Sequence, residues 1–470
     1  MSNILEGVIE EFKKISAFPR PSKYEFRVAN YLSERLKNLG AKIQRDQIGN
    51  IIADFPATEG LENLPIILMQ AHMDMVCVAE EGYKYDPLND PIKLIRDEKF
   101  LSAEGTSLGA DDGIGIAITL YILSNVENLI GKHGAWRIIF TVDEEVGMSG
   151  ARELDKKFLS DVKYIINVDS ENVDEIVIGS AGSARIEFRH DLTWNSPKKS
   201  DGYSIVVSGL KGGHSGESID VNHANAIKIL AQILSNLDCE INKFQGGTAL
   251  NVIASEAKAL ITLDGSNDLK NICKKFEQKI SAECDEPKLK IKFKKIKLPN
   301  RVMNKKETEI SLSLINNLLS GVLKVDGDDK TSANIGIVKI TDSAFYLNYM
   351  PRFHSIEGFN EIFSHATNAC IKSRCNEMTL KGFSREWKAS NSNLLEIMLK
   401  VAKKQKRRVI TKVIHGGLEC SHFIEKNPNL EIVSVGTSNL NIHSPNEKLL
   451  LSSVEPTVNL IAGTLKSLAV

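Results

Sequence analysis

The chain has 470 residues, and its 59 Lys plus Arg nearly balance 60 Asp plus Glu, for a formal charge of -1. That length exceeds one compact core at ~100–200 residues per domain. The charge balance gives no electrostatic case for nucleic acid or an anionic membrane as partner, and no apolar run reaches the ~20 residues that span a bilayer.

Ile4, Val8, Phe12 and Ile15 recur at three to four residues and predict an amphipathic first helix. Acidic residues stand where a secretory n-region would be basic, so the start does not read as a signal peptide. Seven scattered cysteines without a Cys-x-x-Cys pair argue against a disulfide framework or a thiolate zinc site, and a cytoplasmic protein is expected. Pro65–Gln70, Trp136–Val142 and Tyr164–Val168 read as buried strands. Ile114, Ala117, Ile118, Tyr121 and Ile122 follow helical spacing after Gly113. This rhythm predicts an α/β fold with a mainly parallel sheet covered by helices.

From about residue 185 the texture changes to alternating strands at Ile186–Trp194, Ser204–Ser208 and Leu250–Leu263, with a helix through Ile227, Leu230, Leu234 and Leu237. A further strand-and-helix set follows at Ile335–Tyr349 and Gly358–Ile371. Lys288–Leu298 alternates Lys with apolar residues, as expected of a half-buried strand whose lysines guard a sheet edge. Helical Leu394–Lys406, strand-like Glu431–Val435 and helical Glu455–Leu468 then resume the opening pattern. The expected organisation is a catalytic domain over 1–184 and 385–470, interrupted by an inserted α+β lid over 185–384 that has two related halves.

The chemistry gathers where predicted strands end: His72-Met73-Asp74, then Asp111-Asp112 before a helix, then Glu144-Glu145, then Asp169. Open α/β sheets place ligands at this rim. Each cluster alone is unremarkable, since Asp111-Asp112 could cap a helix and Glu144-Glu145 could be a solvated pair. Together they crowd negative charge that cations must hold. Mixed His/carboxylate donors suit zinc, with manganese or cobalt as alternatives.

His72-Met73-Asp74, Gly109-Ala110-Asp111-Asp112-Gly113, Glu144-Glu145-Val146-Gly147, Asn167-Val168-Asp169-Ser170-Glu171 and Gly212-Gly213-His214-Ser215-Gly216 occur in the order found in co-catalytic dinuclear zinc peptidases, which include aminoacylases and carnosinases. His415-Gly416-Gly417-Leu418-Glu419-Cys420 and Ile442-His443-Ser444-Pro445-Asn446-Glu447 resemble the bacterial aminoacyl-histidine dipeptidase branch. The resemblance covers nearly the whole chain. It implies two divalent metal ions, with His72, Asp111 and Asp169 on one and Asp111, Glu145 and His443 on the other. It also implies a cis peptide after Asp111, and Asp74 behind His72, fixing its ring.

The same resemblance makes Glu144 the general base toward a metal-activated water, and His214 the group that stabilises the oxyanion. Arg352, Gly416 and Gly417 would hold the substrate carboxylate. Arg352 lies in Pro351-Arg352-Phe353-His354, where relatives commonly carry an Arg-Ser-Ser-type stretch. The implied activity is a metallopeptidase cleaving unblocked dipeptides, Xaa-His or broader, in a monomer or homodimer, with His214 acting in its own chain or from a partner. A deacylase of N-acyl amino acids and a tripeptidase are the neighbouring alternatives. A lid must close over the substrate, so hinges are expected near 184 and 385.

One motif in the chain points to a different chemistry. Gly105-Thr106-Ser107-Leu108-Gly109 matches the nucleophile elbow of serine hydrolases, with Asp169 and His443 following in order. An elbow needs a buried strand just before it, but polar Arg96-Asp97-Glu98-Lys99 lies upstream, and the helix begins only beyond Asp112.

Overall fold

The computed structural model describes residues 4–216, 218–219, 223–326 and 329–469. They form two compact units, Met1–Gly179 with Lys388–Val413 and Leu418–Val470, and Ser180–Trp387 with Ile414–Gly417. The expected lid limits of 185 and 384 lie a few residues inside the second unit. The short segment Ile414–Gly417 also returns to the second unit, which no periodicity in the sequence signals. Its cause is backbone pairing: the Ala181 N–H donates to the carbonyls of Ile414 and Gly416 at 3.0 and 3.1 Å. Gly416 and Gly417 therefore belong to the second unit, although they lie within the expected catalytic segment 385–470.

In the first unit, strands β1 (Lys42–Arg45), β2 (Ile51–Phe55), β3 (Ile66–His72), β4 (Trp136–Thr141), β5 (Val162–Asn167) and β6 (Glu175–Ser180) belong to one sheet. Ile410–Ile414 and Glu431–Ser434 complete it. Its centre is parallel, because β3 pairs with both β4 and β5, and Glu431–Ser434 pairs with β5. The flanks are antiparallel about this parallel centre. The central strands read as unbroken apolar runs because both faces are covered. Helix Ala110–Ser124 is buried along nearly its whole length for the same reason. Val8, Phe12 and Ile15 of the first helix join Ile114, Ile118 and Tyr121 in this core.

The second unit is built on a nine-stranded antiparallel sheet. Its strands include β7 (Gly182–Asp191), β8 (Asp201–Ser208), β9 (Glu240–Gly246), β10 (Ala257–Leu263), β11 (Lys290–Ile296), β12 (Asp329–Ile340), β13 (Ala344–Phe353) and β14 (Glu377–Ser384). Their order is β11-β8-β10-β9-β12-β13-β7-β14. With helices Ala226–Ser235 and Asn267–Glu283, strands β8 to β11 form one split βαβ motif of spatial order 4-1-3-2. β7, β12, β13 and β14, with helices Lys305–Asn317 and Ile356–Ser373, form a second in mirror order, and the first is spliced into it after β7.

β11 is the sheet edge, with Ile291 buried and Lys290, Lys292 and Lys294 exposed, as the alternation predicts. Within Leu250–Leu263 only Ala257–Leu263 is a strand. The carbonyls of Leu250 and Val252 are instead taken by the Asn334 side chain at 3.1 and 2.8 Å. Among the described residues no helix is long and apolar enough to cross a membrane.

Candidate metal and peptide site

The site grows from strand ends. His72 is the last residue of β3, Asp169 follows β5, and Glu144 and Glu145 open a short helical turn after β4. His443 is held in left-handed backbone (φ 57) between the short strands Asn439–Leu440 and Lys448–Leu450. Asp111 sits between the two histidines. Its Oδ1 lies 2.9 Å from His72 Nε2, and its Oδ2 lies 3.0 Å from His443 Nε2. His443 Nε2 is also 2.8 Å from Glu145, and His72 Nε2 is 3.5 Å from Asp169. The Asp111–Asp112 peptide is cis, as the resemblance implied.

Asp74, fully buried, does more than face the His72 ring at 3.4 Å. It accepts the backbone N–H groups of Glu144 and Glu145 at 3.0 and 3.2 Å and the Ser22 hydroxyl at 2.7 Å. One carboxylate thus orients a histidine and anchors the turn that carries Glu144 and Glu145.

The electrostatics describe a site that demands positive charge. Burial opposes protonation of His443, yet Asp111 and Glu145 outweigh it and push it up to about 12. His72 behaves alike: burial opposes, and Asp169, Asp111 and Asp74 carry it well above its ordinary value. Burial, reinforced by the Asp111 charge, raises Glu145 to about 7. Asp111 is held below the carboxylate range because both histidines outweigh its burial. A donor set of two imidazoles and several buried carboxylates fits divalent cations. His72, Asp111 and Glu145 offer ligand atoms within 4.8 Å of one another, as do His72, Asp112 and Asp169. Among the described residues the buried Glu145 Oε1 has no hydrogen-bond partner, which suits a cation ligand.

Four further residues hold this geometry; the sequence reading gives Glu447, Arg20 and Glu419 no role and Asp112 only that of a helix cap. Glu447 accepts the N–H groups of Leu108, Gly109 and Ala110 at 2.8, 2.9 and 2.8 Å, and it shapes the loop that presents Asp111. Arg20, buried, donates to the carbonyls of Met73, Asp74 and Gly109 at 3.0, 2.8 and 2.5 Å. Glu419 accepts from Gln70 Nε2 at 2.5 Å and Thr141 Oγ1 at 2.7 Å beneath the strand ends. Asp112 accepts the His72 N–H at 3.1 Å. Glu447, Glu419 and Asp112 lie inside the recognised motifs, which was their only signal. Arg20 had none.

The second unit gathers the other expected residues. Arg352, on β13 and buried, has Nη2 3.2 Å from His214 Nε2, and its Nε donates to Ser215 Oγ at 3.3 Å. Gly416 packs so closely on this loop that a Cβ on Gly216 would meet its Cα at 3.0 Å. His415 joins the same unit, with Nε2 2.7 Å from Ser332 Oγ and Nδ1 3.2 Å from His354 Nε2. Gly417, the last residue of the returning segment, lies in this unit as well.

Ser107 is a different matter. Its hydroxyl is fully buried and donates to the Val76 carbonyl at 2.6 Å while accepting the Val78 N–H at 3.2 Å. The preceding strand ends at Ala103 and the helix begins at Ala110, so no strand-to-helix elbow presents it.

Comparison with known proteins agrees with this architecture. The model of peptidase family M20/M25/M40 matches residues 68–467. The chain is 31% identical over 474 residues to the cytosol non-specific dipeptidase of Escherichia coli (strain K12), covering 97% of this chain and 96% of that one. The crystal structure of aminoacylhistidine dipeptidase from Vibrio alginolyticus matches with a TM-score of 0.76 at 28% identity, over 98% of this chain and 96% of that one. The aminopeptidase PepT of Bacillus cereus shares the fold, with a TM-score of 0.59 at 18% identity over 99% of both chains. The chain belongs to peptidase family M20/M25/M40.

Proposed function

We propose that this protein is a metal-dependent dipeptidase acting on unblocked dipeptides. The observation that carries the reading is Asp111 presenting one oxygen to His72 and the other to His443, in a chain whose relative over nearly its full length is a dipeptidase. His72, Asp111 and Asp169 would hold one divalent cation and Asp111, Glu145 and His443 a second, zinc being the metal best suited to these donors. When bound, such a pair polarises the scissile carbonyl and lowers the pKa of the attacking water.

Glu144 takes the proton from that water and returns it to the leaving amine. Burial raises its carboxyl well above the ordinary value, with the His72 charge opposing and Glu145 and Asp169 adding. A carboxylate so raised is the stronger base. His214 is the proposed donor to the oxyanion. Arg352 with the Gly416-Gly417 turn is the proposed clamp for the substrate carboxylate, by bidentate geometry.

The test is a panel of dipeptides, tripeptides and N-acyl amino acids, assayed after chelation and again after adding zinc, manganese or cobalt. Dipeptide turnover that vanishes on chelation and returns with metal is the expected result. Turnover indifferent to chelation, or confined to N-acyl amino acids, overturns the reading. Glu144→Gln should keep metal binding while losing about 10²–10⁴ in kcat; undiminished kcat would remove Glu144 from its role.

A further inference from the structure

Outside the site, the C-terminus of helix Ile356–Ser373 brings two thiols together. Arg374 adopts left-handed backbone (φ 65), its N–H donates to Ile371 O, and the Cys375 N–H donates to Cys370 O, both at 3.1 Å. These are the two hydrogen bonds of a Schellman motif, which brings the residue four before the left-handed position close to the residue just after it. In this motif that contact is frequently a pair of hydrophobes. Here it is Cys370 against Cys375, and both are free thiols.

The Cys370 thiol reaches the Cys375 carbonyl at 3.8 Å, and the interaction of the two thiols lowers Cys370 below the ordinary thiol value and raises Cys375. Cys375 Sγ also lies 3.4 Å from the Arg189 carbonyl, so strand β7 holds it in place. Cys370 is buried at the rim of the second unit's core, while Cys375 is partly exposed between exposed Arg374 and Asn376. The backbone hydrogen bond has already closed the loop that a bridge between them would close, so forming one asks little of the fold. Disulfides need close, correctly aimed Cβ atoms, and the motif supplies the closeness.

We propose that Cys370 and Cys375 form a redox-active dithiol that low-molecular-weight disulfides convert to an intramolecular disulfide. One protein thiolate attacks a sulfur of the small disulfide and expels one small thiol. The second protein thiol loses its proton to solvent, attacks the mixed disulfide and expels the other. Two protein thiols are oxidised and one small disulfide is reduced to two thiols. In a reducing compartment such a pair acts as a sensor rather than a staple.

The experiment equilibrates the folded full-length protein with oxidised and reduced glutathione at varied ratio, quenches with acid, alkylates and digests with trypsin. Lys372 and Arg374 lie between the two cysteines, so the oxidised form yields two peptides joined by a reducible link. The expected result is that linked pair, with the loss of both thiols together as the oxidised fraction rises. Cys370→Ser and Cys375→Ser should each leave a stable glutathione adduct on the remaining thiol, because nothing resolves it. Two thiols still fully alkylated at every ratio, unresolved adducts in the unaltered protein, or a link that forms only after denaturation would each overturn the proposal.

Discussion

The Glu144 N–H donates to Asp74 Oδ1 at 3.0 Å, so the residue proposed as base is anchored by the carboxylate that faces the His72 ring. A change at Asp74 therefore reaches both functions at once.

Asp74→Asn should lower metal affinity about 10–100-fold, the usual cost of losing a carboxylate behind a ligating histidine. It should lower kcat as well, since the amide presents only one acceptor to the N–H groups of Glu144 and Glu145. Competition against a chromogenic chelator measures the first effect. Unaltered affinity would mean that Asp74 serves the turn alone.

Glu447→Gln tests the loop of Asp111. Its two oxygens accept three close N–H groups, whereas a glutamine offers one oxygen and turns a donor toward the rest. Leaving one or two buried donors unpaired costs about 1–3 kcal/mol each. Urea denaturation should show a loss in that range, accompanied by weaker metal binding; a loss of stability with metal binding intact would detach Glu447 from the site.

Glu419 should tolerate amide replacement. Burial pushes it up to about 8, so it carries its proton near neutrality, and Glu419→Gln keeps an oxygen for Gln70 and Thr141. Stability should stay within ~1 kcal/mol of the parent. Glu419→Ala removes the acceptor from both buried donors and should cost several times as much, at about 1–3 kcal/mol for each donor left unpaired. Equal losses in the two variants would show that the charged form is needed.

Acid should destabilise the protein through two buried histidines. Burial lowers His415 to about 2, with Lys330, His354, Arg352 and His214 adding, and lowers His422 to about 4, with Lys426 and Arg152 adding. Below pH ~6.5 the unfolded chain binds protons that these neutral rings refuse. Their contribution is full above that pH and falls as pH drops through 6.5 toward the folded values. Each histidine adds ~1.4 kcal/mol per pH unit within the window. Denaturation of the metal-free protein between pH 7 and 4.5 should show a shallower slope in His415→Gln and His422→Gln, and an unchanged slope in the double variant would refute the assignment.

Much of the catalytic unit was legible because its signals are local. A buried central strand is an apolar run, and the polar cluster that ends it marks the rim, as at Gln70–Asp74. The Lys290–Lys294 alternation likewise announced an edge. The segment before Ala257 misled because its apolar content resembles a strand, while the side chain of Asn334, far along the chain, takes its carbonyls instead. The return of Ile414–Gly417 to the second unit was equally invisible, since it depends on the Ala181 amide and not on any periodicity.

By itself the sequence determined the donor types, their order at strand ends and the near-neutral balance that hid a local excess of carboxylate. Tertiary structure alone decided which oxygen of Asp111 meets which histidine, and that Glu447 closes on Leu108 from 339 positions away. It also decided that Cys370 and Cys375, five apart and outside any thiol motif, meet at a helix terminus. Periodicity reports which face of an element is buried. It carries no information on what a side chain meets once distant elements pack, and in this protein those meetings set the charge, the protonation and the reach of the site.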